Sequence, residues 1–180
     1  PANLIATDEA VAKKMTENIE ELGTPIDLEQ AEQQAKEDVA LEREESLAKQ
    51  LSEMKRRKRK LVDPLQFEMS IQASDLTDYV PSFGWQMSPP TDKQVKALEK
   101  WGIFPDEIEN AGKAEMLINR LVKRRDAGLS TPKQIRFLEN RGFQHVGTWQ
   151  FEAATKLINR IAANGWRIPH GIKPAEYKPA

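Results

Sequence analysis

The chain of 180 residues contains no cysteine. That excludes a disulfide framework, a thiolate metal site and a cysteine nucleophile. Histidine is nearly absent too: His145 and His170 stand far apart without neighbouring carboxylates, so neither a metal centre nor imidazole acid–base chemistry is expected. No apolar run approaches the roughly 18 residues of a membrane span, and no basic-then-apolar leader opens the sequence. A soluble, cytoplasmic protein is the expectation. Glycine is sparse. The one Gly-Lys pair, Gly112-Lys113, has Glu107 where a phosphate-binding loop needs its first glycine and Ala114 where it needs Ser or Thr. Without those glycines the backbone N–H groups cannot cradle phosphates, so that loop is missing. No Asp-Glu-Ala-Asp-like box and no Ser-His-Asp arrangement is found, and the chain reads as a non-enzyme. Asp106, Glu107 and Glu109 cluster on one stretch, where a solvated loop or helix cap is the simpler reading than a divalent-ion site.

Apolar residues make up 39% and charged residues 31%, against roughly 45–50% and about 25% in ordinary domains. A modest core follows, not a body that uses every residue. The net charge of −1 hides a split. Residues 1–80 hold 18 acidic against 11 basic side chains; residues 81–180 hold 10 against 16. Six of the eleven form a single run, Lys55–Lys60. A basic later half points to a polyanionic partner, although solvated helix faces explain charge alone equally well.

The pattern predicts a mostly α chain in five stretches. Residues 1–61 read as a charged, coiled-coil-like helical arm, with Val11, Met15, Ile19 and Leu22 at helical spacing, a stop at Gly23 and a cap at Asp27. From Leu28 to Lys60 there is no Gly or Pro, and the apolar stripe is thin: Leu28, Ala31, Ala35, Val39, Leu47, Leu51 and Met54. A helix with so little to bury reads as a coiled-coil segment with a partner for residues 28–60, as an arm docked on another body, or as a frayed linker. Residues 62–90 read as an extended connector, with a short helix after Asp63-Pro64. Residues 91–128 and 131–166 read as two units, and 167–180 as a flexible tail. The expected stable body is about 88–170, folding without the first 60 residues.

The two units are a duplication. A shift of 40 places Thr91-Asp92-Lys93-Gln94 over Thr131-Pro132-Lys133-Gln134, Gly102 over Gly142, and Leu117-Ile118-Asn119-Arg120 over Leu157-Ile158-Asn159-Arg160. Eleven of the 31 ungapped positions are identical, where roughly two would match by chance residue usage. Each unit opens on a Thr-x-x-Gln capping box, stops its first helix at glycine, bends, and enters a second apolar-striped helix.

The first unit's Leu98-x-x-x-Gly102-Ile103, followed by Gly112-Lys113-Ala114-x-x-Leu117-Ile118-x-Arg120-Leu121, resembles a SAP-type helix–extended–helix module. The second departs at the bend, with Glu152-Ala153-Ala154. More broadly, Leu61-Val62-Asp63-Pro64-Leu65, Asp75-Leu76-Thr77-Asp78-Tyr79 and the Thr-x-Lys-Gln units resemble the C-terminal tails of bacterial and prophage DEAD/DEAH-box (superfamily 2) helicases. The resemblance implies a DNA-binding accessory region, a helicase motor in cis, and ATP with Mg2+ only where such a motor precedes it. Pro1 is an unusual first residue: an initiator Met was removed, or the sequence starts inside a longer protein.

The candidate nucleic-acid-binding residues are Lys93, Lys96, Lys113, Arg120, Lys123, Arg124, Arg125, Lys133, Arg136, Lys156 and Arg160. Phosphate contacts need cations on a rigid face, and they carry affinity without sequence choice. Glu99 and Glu139 repeat as well, so Arg120 and Arg160 read equally as their ion-pair partners. Asn119 and Asn159 read as solvent-facing, phosphate-contacting or bend-capping. Trp101, Trp149 and Trp166 are expected in the core or at its rim rather than as base-stacking platforms. The alternative function is a protein-interaction module docking partner subunits through the long helix and the repeats.

Overall fold

The computed structural model describes residues 9–14, 16–17 and 28–179. The expected stop at Gly23, the Asp27 cap, and Met15, Ile19 and Leu22 of the first stripe lie outside the described residues. The fold is all-α. Helices α1 (Leu28–Lys60), α2 (Pro64–Ser70), α3 (Ser74–Thr77), α4 (Gly84–Met87), α5 (Asp92–Lys100), α6 (Ala111–Asp126), α7 (Pro132–Glu139) and α8 (Phe151–Ala163) follow in order, with 3-10 turns at Pro105–Glu107, Val146–Thr148 and Pro174–Glu176. Extended pairing among the described residues is limited to two isolated bridges, Val62 with Ile103 and Leu129 with Gln150. No helix among them is long and apolar enough to cross a membrane.

Two compact units divide the chain, Pro1–Arg56 and Arg57–Ala180. In the first, residues 9–14 and 16–17 are helical, and Lys14 Nζ donates to Glu42 across 2.6 Å. Ala35 and Val39 are buried, whereas Leu41, Leu47, Leu51 and Met54 are exposed. Of the stripe read from the sequence, from Ala35 onward, Ala35 and Val39 are covered and Leu47, Leu51 and Met54 are not.

The second unit holds the main core. Both first helices start as expected: Thr91 and Thr131 accept from the amides of Gln94 and Gln134, whose side chains return the bond to the threonine N–H. Both stop at a left-handed glycine, Gly102 at φ +85° and Gly142 at φ +88°, where a Cβ would be strained. The capping glutamines also reach across. Gln94 Nε2 donates to Ala111 O at 3.1 Å and Gln134 Nε2 to Thr155 Oγ1 at 2.9 Å, so each box ties its first helix to the start of its second.

The stretch 62–90 corrects the expectation of an extended connector. It forms α2, α3 and α4, and it buries Val62, Phe67, Ala73 and Leu76. Asp63 caps α2 by accepting from Leu65 and Gln66, and Pro64 presets the first turn. Leu65, Phe67, Met69 and Ile71 alternate with Gln66, Glu68, Ser70 and Gln72, a period that by itself suits a strand, and capping prevails over it. Helix α2 packs against α7, while α3 and α4 pack against α6. The two repeats share one core, with 62–90 as its third component. Burying Val62, Phe67 and Leu76 is worth roughly 1.5–3 kcal/mol each, which is too much for a body starting near residue 88 to lose. The C-terminal stretch expected to be a flexible tail also joins this core. Ile172 and Tyr177 pack on it, with the Tyr177 ring 5.5 Å from Phe143 and 5.7 Å from Trp149.

Candidate nucleic-acid interface

The eleven candidate cations separate by what they touch. Lys93 and Lys133 occupy the second position of α5 and α7, where each helix presents its positive end. A lysine there opposes the helix dipole by about 0.3–1 kcal/mol, offset in α5 by Asp92 and in α7 by no acidic residue. Lys93, Lys96, Lys123, Lys133, Lys156 and Arg160 are exposed. Lys133 lies along the backbone of Gly102, its Cε 2.8 Å from where a side chain would begin there. These six carry no ion pair with another described residue.

The other five have structural tasks, and one is a clear correction. Arg124 is buried at 9% exposure. Its Nη2 donates to Ser130 O at 3.1 Å and Gly147 O at 2.8 Å, and its Cζ lies 5.8 Å from the centre of the Phe67 ring. Burial lowers its pKa, with the nearby Arg120 charge adding to the effect. It cannot reach an outer phosphate. Lys113 Nζ sits 3.2 Å from Glu68, a fully buried carboxylate on α2 whose pKa is raised by burial against the opposing pull of Lys113. Arg120 pairs with Asp75 at 2.6 Å. Arg125 pairs with Asp126 at 2.9 Å and lies 5.5 Å from the Trp101 ring centre. Arg136 Nη1 donates to Leu61 O at 2.8 Å.

The repeated glutamates do not hold the repeated arginines. Glu99 accepts from Arg57, and Glu139 accepts from Ser70 Oγ at 2.6 Å. Asn119 and Asn159 are exposed and cap nothing; Asn110 caps α6 by accepting from the Lys113 amide. The acidic stretch read as solvated is paired: Arg57 lies 3.3 Å from Asp106, and Lys58 lies 2.9 Å from Glu107. Hydrogen bonds to Glu99 and Glu107 raise the pKa values of Arg57 and Lys58. Part of the Lys55–Lys60 run is therefore occupied within the second unit. Among the described residues no group of His, Asp or Glu is placed to hold a metal ion. Trp149 is buried and Trp101 half-buried, as expected of core and rim, while Trp166 is 60% exposed with its ring edge-on to Phe137 at 6.0 Å.

Sequence reasoning missed the partners rather than the cations. For Arg124 a signal existed: Leu117, Leu121 and Arg124 recur at four and three residues, which puts the arginine on the buried stripe. Phe151, 46% exposed at the first position of α8, had no such signal.

No family model matches this chain, and no curated protein or solved structure is detectably similar to it.

Proposed function

We propose that the Arg57–Ala180 unit is a non-catalytic nucleic-acid-binding module that grips phosphates through Lys93, Lys96, Lys123, Lys133, Lys156 and Arg160. One observation carries the reading. With the local ion pairs assigned, these six exposed cations have no carboxylate partner among the described residues, and Lys93 and Lys133 sit where the helix dipole opposes them. A bound polyanion offsets both costs. Rigid helices present the charges, which suits grip on a backbone more than readout of base edges. The helicase-tail resemblance agrees with this role and adds a motor in cis as the donor of ATP-driven movement. In the test, the full chain is titrated into duplex DNA at rising salt. Binding that falls steeply, by roughly 0.9 per neutralised phosphate on logarithmic axes, supports the module; no binding at low salt sinks it.

A second reading has its own observation. Val80, Phe83, Trp85 and Met87 are all more than half exposed along a single short stretch. Such a patch suits docking to another protein subunit, the assembly role. That binding would resist salt, whereas phosphate binding would not.

A further inference from the structure

We propose that a cavity between the two repeats takes one unstacked base of a single-stranded nucleic acid. The inference rests on the phosphate-gripping role and names the strand form that the module takes. The cavity, about 280 Å³, lies between the end of α5, the last turns of α6, the turn into α7 and the start of α8. Its walls are Trp101, Leu121, Leu129, Pro132 and Phe151, with Arg124 and Arg125 as its cations.

Size comes first. At the small end of ligand pockets, it suits a single ring system better than an extended cofactor. Chemistry narrows the choice. Arg124 is a buried cation without a carboxylate partner, and Nη2 alone of its nitrogens is bonded. Nε is shut off from solvent and so does not open on the cavity; Nη1 donates to no described residue. A buried charge ordinarily finds a counter-charge or acceptors for its donors. A phenyl or indole side chain entering the cavity would bring hydrophobic area but no acceptor for a guanidinium, and a tyrosine only its phenolic oxygen, a weaker acceptor than a carbonyl. A keto-bearing base brings both a flat face for Trp101 and Phe151 and a carbonyl oxygen for Nη1.

The surroundings fit a strand. Arg125 already lies over the Trp101 ring at 5.5 Å. Unpaired Lys133 lies against Gly102, next to Trp101 in sequence. A base inserted at Trp101 would leave its flanking phosphates beside that lysine. Duplex DNA cannot present a base this way without unpairing it, so the cavity favours single strands.

The probe is a thymidine oligonucleotide of about a dozen residues, which has keto oxygens and little self-stacking, compared with a mixed-sequence duplex. Both are titrated into the full chain and its Phe151→Ala variant. Phe151 is nearly half exposed, so the variant keeps its fold. The expected result is a loss of about tenfold or more in single-strand affinity, with duplex affinity held within about twofold. Single-strand binding equal to the parent's, or equal loss on both probes, overturns the cavity. If the duplex does not bind the parent, the phosphate-gripping role fails by itself. Thymidine monophosphate then decides the cavity: movement of the Trp101 indole N–H resonance, assigned with Trp101→Phe, upholds it, and no movement overturns it.

Discussion

The two repeats have the same interior and different surroundings. Both fold through the same capping box, left-handed glycine and glutamine bridge to the second helix. They differ in what covers the start of that second helix. In the first repeat the corner is sealed. Both repeats hold the first amide of that helix, Ala111 N–H donating to Ser88 O at 2.7 Å and Phe151 N–H to Gly128 O at 2.8 Å. Only in the first does an asparagine, Asn110, cap the Lys113 amide, with Gly112 under the Tyr79 hydroxyl and 2.9 Å, measured from an added Cβ, from Gln86 Cβ. In the second repeat Gln150 makes no side-chain cap, and Phe151 and Glu152 are exposed. The bends are held by different groups: Arg57 and Lys58 pair with Asp106 and Glu107 in the first, while Arg124 and Ser130 donate to the Gly147 and Val146 carbonyls and Tyr177 packs on Trp149 in the second. Duplication preserved what makes a unit fold. The first copy's corner anchors residues 79–88, while both copies pack on residues 57–77.

Removing the seal breaks this comparison most severely. A chain starting at Met87 loses Val62, Phe67, Ala73 and Leu76 from the core. At roughly 1.5–3 kcal/mol for each large side chain, that rivals the entire stability of a small domain, about 5–15 kcal/mol. It is expected to show no cooperative melt by circular dichroism, whereas a chain starting at Arg57 melts cooperatively. A cooperative transition in the shorter chain would mean that the repeats fold without residues 62–86.

The matched corners give a smaller test. Gly112→Ala pushes a methyl into Tyr79 and Gln86 and should cost about 1–3 kcal/mol by urea melting. Glu152→Ala, at the equivalent open corner, should stay within about 0.5 kcal/mol. The preserved interior predicts equality instead. Thr91→Ala and Thr131→Ala should each cost about 1 kcal/mol, within error of one another. Unequal costs would show that the two boxes are not equivalent.

Legibility in the sequence follows this divide between local and distant. Capping boxes, glycine stops and helical periods are written within a few residues, so Thr91, Gly102, Thr131 and Gly142 could be placed from the sequence. Pairings such as Arg57 with Asp106, Lys113 with Glu68 and Arg136 with Leu61 span many residues. Cations that look alike along the chain part company only when the chain closes on itself. The helical stretch 62–90 was partly readable, because Asp63-Pro64 is a local start signal. Its burial was not, because the surfaces that cover it lie in both repeats. Phe151 differs again: one aromatic residue replaces alanine in the aligned unit, and only the neighbouring turn makes a cavity of it.

The seal also carries a titration. Glu68 is fully buried beside Lys113, and burial raises its folded pKa above the ordinary carboxylate value. Between those two values the folded state holds more protons than the unfolded one. Stability is therefore greatest below the ordinary carboxylate value and falls as pH rises through the raised one. Glu68→Gln should flatten the dependence of melting temperature on pH above the ordinary carboxylate value. An identical slope in parent and variant would place that titration elsewhere.

The most direct measurement compares the salt dependence of duplex DNA binding by the full chain with that of a Lys93→Gln, Lys96→Gln, Lys133→Gln variant. These side chains are exposed and unpaired, so the melting temperature should hold or rise slightly as like charge leaves the helix starts. Binding should weaken, and the slope of log affinity against log salt should drop by about 0.9 for each phosphate no longer neutralised. A variant that binds like the parent at every salt concentration, with the same slope, would contradict a phosphate grip at the helix starts.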